Sequence, residues 1–323
     1  MNFTGRLYEV GLAKEGTRGT GVAATHWIPK TAVTFDDKIQ SAMVAGSYGH
    51  ISDAAMTAQV VSKWAEGNIE AEINANSFGL VLLALCGTDT PGSVVDATYT
   101  HVYTIENDVT PDSLSIQVKD PIGNIRYRLA MLNSLAIDVT LGEMVKFTAN
   151  FISKVHQDVT AATPTYAIDQ RFVSRDLTFK VANDISSIAA SSKISVKHLA
   201  IEFARNVEKL DILGTLEPED IVSKGFRITG TIELNYEDRT WRDYMLNGSA
   251  KAMQIQLKST KLLGATTYPE LNMIFPKVHF ESWEPALGLD DIASQTINFD
   301  IMFDLANTRL WSTLNLVNET ASY

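Results

Sequence analysis

The chain has 323 residues, an apolar fraction of 45% and a formal net charge of −11. This length favours two domains over one, and the apolar fraction is sufficient for a core in each. The acidic balance argues against a tight nucleic-acid binder, which needs clustered Lys and Arg. No apolar run approaches a membrane span, and the first ten residues lack the pattern of a signal peptide. The single cysteine, Cys86, excludes an intrachain disulfide framework, so we expect assembly in a reducing cytoplasm.

The first predicted element is a strand over 3–12, followed by a glycine-rich loop or extended arm and a short strand over 31–35. The loop contains no GKS or GKT sequence, which argues against a phosphate-binding loop. The segment Gln40–Gln59 is rich in small residues and irregular. Loops of that length are usually functional or covered by a partner.

A strand followed by a helix is predicted over 67–87. In the strand, Ile69, Ala71 and Ile73 alternate with Glu70, Glu72 and Asn74, as expected of a half-buried strand. The following apolar residues have the spacing of a helical face and are closed by a glycine, which predicts a helix over about 77–86.

The same unit recurs 163 residues later. Glu233 and Asn235 lie at the places of Glu70 and Glu72, on the polar side of a second alternating strand. A second helix is predicted over about 239–247. This correspondence indicates a tandem duplication.

The remaining pattern predicts one β-meander in each half. The strands expected in the first half are 99–105, 114–118, 125–132, 135–139 and 145–151, and those in the second half include 253–257, 271–275, 278–280 and 297–303. Thr88–Thr98 is expected to be a turn-rich loop, and the polar segment over about 156–170 is the best linker candidate. The fold prediction is therefore mainly β (α+β), with two tandem β-sandwich domains over 1–160 and 171–323, each with a short flanking helix.

The sequence contains no constellation typical of catalysis. The six histidines are scattered, no second cysteine supports a zinc site, and no GxSxG sequence is present. The pair Asp290–Asp291 lacks the spacing of a calcium loop. We therefore expect no catalytic, cofactor-binding or metal-ligating residues and no enzyme activity.

Four stretches resemble the double-length tail tube proteins of long-tailed, non-contractile phages. They are YEVGLAKEGTRGTGVAATHWIP at Tyr8–Pro29, GNIEAEI…SFGLVLLALCGT at Gly67–Thr88, VSKGFRITGTIELNYED at Val222–Asp238 and LNG at Leu246–Gly248. Each stretch alone is a weak signal, whereas their order and spacing together span nearly the whole chain.

The resemblance implies that each half is a tail-tube β-sandwich and that rings of subunits stack into a hollow tube for double-stranded DNA. A tandem copy implies a homotrimeric ring with pseudo-six-fold symmetry; a homohexamer is the alternative. The implied partners are further copies of the chain, other tail proteins at the tube ends and DNA in transit, with no membrane and no cofactor. The implied location is the virion tail, assembled in the host bacterial cytoplasm.

Two hypotheses follow for particular residues. Glu70, Glu72, Glu233, Asn235 and Asp300 are expected to line the lumen; the alternative is that they face outer solvent. The N-terminal arm, Gln40–Gln59 and Thr88–Thr98 are expected to make ring-to-ring contacts.

Other functions remain open at this stage. They are another tail or tube component, such as a tail terminator or a secretion-tube-like protein, and a two-domain β-sandwich carbohydrate-binding module with an aromatic platform that includes Trp283. A β-rich hydrolase is a third, disfavoured by the missing constellation.

Overall fold

The computed structural model describes residues 3–42, 49, 51, 59–166 and 171–323. The α-helices are α1 (Phe78–Cys86), α2 (Ile185–Ile188) and α3 (Thr240–Asn247). The strands are β1 (Glu9–Lys14), β2 (His26–Ile28), β3 (Lys30–Val33), β4 (Asp36–Ala42), β5 (Gln59–Glu72), β6 (Gly87–Val95), β7 (Thr98–Ile105), β8 (Leu114–Lys119), β9 (Asn124–Thr140), β10 (Lys146–Ser153), β11 (Gln157–Asp158), β12 (Leu177–Ala182), β13 (His198–Ala204), β14 (Val207–Leu210), β15 (Asp220–Ser223), β16 (Arg227–Asn235), β17 (Lys251–Lys258), β18 (Glu270–Ala286), β19 (Ser294–Ile301) and β20 (Thr313–Asn318).

Eight antiparallel strands form one continuous layer that crosses from the first half of the chain to the second. We call β4–β5–β10–β9 the N-terminal set and β13–β16–β19–β18 the C-terminal set. The two sets join where β9 pairs with β13 over Ser134–Thr140 and His198–Ala204. We call this contact the internal joint.

The other strands extend this layer or pack against it, and the protein is a β-sandwich. The first part of β9 continues through β8 and β1 to β2, with β11 on its other side. The first part of β18 pairs with β17 and β20, and β17 continues to β12. The C-terminal strand β20 also pairs with β7, and β7 with β6. Strands from the two halves of the chain therefore share one sheet.

The pairing register recurs in the two sets, and the repeated glycines keep the predicted offset of 163 residues. Gly67 lies opposite Phe151, and Gly230 lies opposite Phe299. Each long strand has a bulge at the same place. In β9 the bulged residue is Asn133, directly before Ser134, which pairs with Asn150. In β18 it is Glu281, directly before Ser282, which pairs with Asn298. The duplication inferred from residues 67–87 and 230–248 thus extends to strand order and to the position of a bulge.

Both predicted helices are present. Helix α1 ends at Gly87 and α3 at Gly248, each glycine in the left-handed conformation. Ser77 occupies the N-cap position of α1 without a side-chain cap bond. Before α3, the side chain of Asp238 accepts a hydrogen bond from the backbone N–H of Thr240 at 2.9 Å.

The structure corrects three expectations about elements. The loop expected over 88–98 is largely strand β6, which forms a hairpin with β7 and carries Pro91 near an irregularity in the pairing. The strands expected over 125–132 and 135–139 form the single strand β9, because its bulge interrupts the alternation without ending the strand. The strands expected over 271–275 and 278–280 likewise form β18.

Two expectations fall partly outside the described residues. In the predicted linker, β11 pairs with β9, whereas 167–170 are not described. Of the predicted contact loop Gln40–Gln59, only 40–42, 49, 51 and 59 are described. Within the described part of the chain, no helix is long and apolar enough to cross a bilayer.

Candidate functional site

The eight-strand layer has one apolar and one polar face. Alternate residues such as Ile69, Ala149, Leu135, Phe203 and Ile232 are buried in the core. The residues between them form what we call the polar face. Its titratable members are Asp36, Lys38, Glu66, Glu70, Glu72, Asp138, Lys146, His198, Glu202, Arg227, Glu233, His279, Glu284 and Asp300.

Cross-strand pairing arranges this face in rows. One row runs from Glu70 through Thr148, Ala136, Glu202 and Thr229 to Asp300. Directly opposed residues share a sheet face. Residues 230 positions apart in the chain therefore belong to the same surface.

All five residues predicted for the lumen lie on the polar face, in different environments. Glu70 and Glu233 are half-buried and have no ion pair within the described residues. Glu72 forms an ion pair with Arg171 at 2.6 Å, and Asn235 is exposed. Asp300 is only 8% exposed.

Asp300 is paired with Arg227. Its carboxylate accepts a hydrogen bond from Arg227 at 2.6 Å, and Glu281 lies 3.7 Å from the same guanidinium. A hydrogen bond to Asp300 is the main cause that raises the pKa of Glu281, with burial next. The hydrogen bond from Arg227 to Asp300 raises the pKa of the guanidinium. Asp300 therefore contributes less net charge to the face than the sequence suggested.

Sequence reasoning missed several carboxylates of this face. Asp138 and Glu202 project from strands in which only the apolar residues had been used for prediction. Glu66 and Glu284 lie in parts of β5 and β18 that had not been predicted as strand. Asp138 is paired with His198 at 2.7 Å. The alternation within a strand shows which side a carboxylate takes, but the order of the strands is needed to show that carboxylates of different strands share one face.

Hydrogen-bonded polar side chains cross both sets at matching places. In the N-terminal set, Asn150 donates to Asn68 at 2.7 Å. In the C-terminal set, Thr231 donates to Asn298 at 2.7 Å, and Asn298 donates to Ser282 at 2.9 Å. These bonds cross the strands on the polar face and hold its side chains in fixed positions.

Other candidate chemistry finds little support. Among the described residues, no group of three or more His, Cys, Asp or Glu side chains could hold a metal ion. Burial raises the pKa of the Cys86 thiol far above its usual range, which disfavours the reactive thiolate. Trp283, the suggested sugar platform, is half-buried and donates its ring N–H to Gln295 at 2.8 Å.

Comparison with known proteins identifies the family. A comparison with curated proteins gave no match. A family model described as phage tail tube protein matches residues 7–300, which is nearly the whole chain and includes both strand sets. The chain belongs to the phage tail tube protein family.

Proposed function

We propose that this structural protein of the virion tail forms rings of three chains that stack into the tube through which double-stranded DNA passes. The internal joint carries the proposal. There, the last strand of the N-terminal set pairs with the first strand of the C-terminal set. Among the described strands, the outer edges of β4 and of β18 over 282–286 have no partner.

Repeating the internal joint between chains uses both open edges. The outer edge of β18 in one chain then takes the place of β9, and β4 of the next chain takes the place of β13. A head-to-tail contact of this kind closes into a ring when its rotation permits. Closure also removes the open edges that would otherwise promote aggregation.

The ring stoichiometry follows from treating the two sets as copies of one unit. Domains over 1–160 and 171–323 would each contribute one unit, so three chains supply six. A homohexamer would instead supply twelve. Assembly takes place in the host cytoplasm, with other tail proteins at the tube ends.

The polar face is the proposed wall of the lumen. Glu70 and Glu233 occupy matching positions on it and lack ion pairs within the described residues. DNA carries one negative charge per about 1.7 Å of its axis, and repulsion from a wall acts over a Debye length of roughly 8–10 Å. An acidic wall would therefore allow DNA to slide without adsorbing.

Assembly of the purified chain tests the stoichiometry. We expect negative-stain images of hollow tubes, and mass measurement of released rings should give three chains. A preparation that remains monomeric under all assembly conditions would contradict the tube proposal, and six chains per ring would contradict the trimer.

A further inference from the structure

We propose that the seam between two copies has the register of the internal joint and is held by Lys38 of one copy, placed between Glu281 and Glu284 of its neighbour. The proposal deepens the function given above and rests on it. The partner is a second copy of this chain, since the internal joint provides the template for the contact.

The register on the β4 side follows from strand pairing. In the internal joint, Ala204 of β13 lies opposite Arg227 of β16. Lys38 of β4 lies opposite Trp64 of β5. Trp64 and Arg227 are related by the same offset of 163 as Gly67 and Gly230, so Lys38 has the place of Ala204. By the same argument, Asp36 has the place of Glu202.

The register on the β18 side follows from the bulges. Ser134 lies opposite Asn150, and Ser282 lies opposite Asn298, in each case next to the bulged residue. Ser282 therefore has the place of Ser134. By the same count, Glu284 has the place of Ala136, and Glu281 has the place of the bulged Asn133.

Combining the two mappings gives the contacts of the seam. Ser134 pairs with Ala204 in the internal joint, and Ala136 pairs with Glu202. Between copies, Ser282 would therefore lie opposite Lys38, and Glu284 opposite Asp36.

The seam has a different chemistry from the internal joint. Leu135 and Phe203 pair on the core side of the internal joint. On its polar side, Ala136 lies opposite Glu202 and Ser134 lies opposite Ala204, so no two carboxylates face each other at these positions. At the seam, Glu284 opposite Asp36 would bring two carboxylates together, which is destabilising.

Lys38 is positioned to offset this repulsion. Its Nζ lies 2.6 Å from Asp36 in the same chain, and that hydrogen bond is the main cause that raises the pKa of Lys38. Long side chains reach diagonal neighbours across paired strands. Lys38 would thus contact Glu284 as well as Asp36, with Glu281 at the adjacent bulge.

In the proposed seam, the same charges would also select the correct partner strand. Charged residues on an edge strand discourage pairing with the wrong strand. A wrong partner would meet Glu281 and Glu284 without a lysine at the required position. Lys38 is therefore a specificity-determining residue for ring closure.

A charge exchange tests the ion pairs. Lys38→Glu should weaken ring formation by more than about tenfold, because it replaces an attraction by like-charge repulsion. Adding Glu281→Lys and Glu284→Lys to that variant should restore rings. Lys261→Glu, at an exposed lysine outside the eight-strand layer and without an ion pair among the described residues, is the control and should assemble normally.

A cross-link tests the register without removing Lys38. Asp36→Cys combined with Glu284→Cys should give covalently closed trimers with a short bis-maleimide, since the native Cys86 is buried. Asp36→Cys with Glu202→Cys, which is exposed on the interior strand β13 and several strand spacings from either edge, should give none. Thermal melts check that each variant folds.

The outcomes separate this proposal from the one on which it rests. In one case the wild-type chain forms rings, while the Asp36→Cys/Glu284→Cys variant gives no cross-link or Lys38→Glu assembles normally. Either result would contradict the proposed seam and leave the ring proposal standing. A wild-type chain that forms no rings would overturn both.

Discussion

Among the described residues, Arg205 is the most deeply buried arginine or lysine. It is 1% exposed and directly follows β13 in the second half of the chain, yet it donates to the backbone carbonyl of Leu85 at 2.5 Å, at the end of α1. Its Nε donates to Ser223 at 3.3 Å. The negative end of the helix dipole and unpaired terminal carbonyls favour a cation at this place. Burial lowers the pKa of the guanidinium, because removing the charged group from water is unfavourable.

Replacing Arg205 by methionine should lower the free energy of unfolding by about 2–4 kcal/mol, because buried carbonyls lose their donor. Urea denaturation followed by tryptophan fluorescence measures the change. Arg175→Met, at an exposed arginine, is the control and should have little effect. Equal midpoints for the two variants would contradict the role of Arg205.

His101 anchors the C-terminal segment. Its ring is fully buried, with Nδ1 at 2.8 Å from Asp89 and Nε2 at 2.8 Å from the carbonyl oxygen of Thr320. Two acceptors require protons on both nitrogens. Burial alone would lower the pKa of His101, but the bonds to Asp89 and Thr320 and the charge of Asp89 raise it above 6.5.

Stability should therefore depend on pH through His101. The raised folded-state pKa means that the stabilisation is complete below pH 6.5 and is lost as the pH rises through that pKa. The difference in unfolding free energy between wild type and His101→Gln should shrink across this range. A difference that stays constant from pH 6 to pH 10 would show that His101 does not titrate in the folded chain.

These two residues show what the sequence could not provide. The strand that carries His101 was predicted over 99–105, because the alternation of His101 with Tyr99 and Tyr103 is local. The contact of His101 with Thr320 and the contact of Arg205 with α1 join residues more than 100 positions apart. Such contacts depend on which strands pair, and one sequence does not determine that.

At the scale of elements, α1 and α3 occupy matching places but differ in burial. All nine residues of α1 are buried, whereas Trp241 is the buried residue of α3 and Leu246 is 68% exposed. The C-terminal half covers α1 through Arg205 and Tyr323, which explains why this helix is apolar on every side.

Close packing at the repeated glycines gives a prediction. A Cβ at Gly230 would lie 2.7 Å from the carbonyl oxygen of Ala200 and would meet the ring of Phe299. Gly230→Ala should therefore destabilise the chain by about 1–3 kcal/mol. Gly225→Ala is the matched control, because a Cβ there has no neighbour within 4 Å. Indistinguishable denaturation curves for the two variants would contradict the predicted clash.

The elements that the sequence predicted well are those with an uninterrupted local period. Helices α1 and α3 and the strand β16 are in this group. Strand β6 was missed because its Pro and Gly residues are typical of turns, although an edge strand tolerates them. The strands β9 and β18 were each divided in two because a bulge breaks the alternation.

At the scale of the whole molecule, several contacts unite the two halves. They include the internal joint, the pairing of β7 with β20, and ion pairs from the segment around β15 to the first half. Arg18 binds Asp220 at 2.6 Å, and Arg128 binds Glu217 at 3.0 Å. The two predicted domains therefore share a large surface that the linker position alone did not indicate.

A truncation tests this dependence. The fragment 1–160 expressed alone should be insoluble or molten, since α1 would lose its cover from the second half. Co-expression with 171–323 should restore soluble protein, as judged by gel filtration and near-UV circular dichroism. A monomeric fragment 1–160 with a sharp thermal transition would contradict this expectation.

The most direct test of the tube account is a cryo-electron microscopy reconstruction of assembled tubes. We expect three chains per ring, with β18 of each chain paired to β4 of the next and with Glu70 and Glu233 on the inner wall. A reconstruction that places both carboxylates on the outer wall, or that has six chains per ring, would contradict the account.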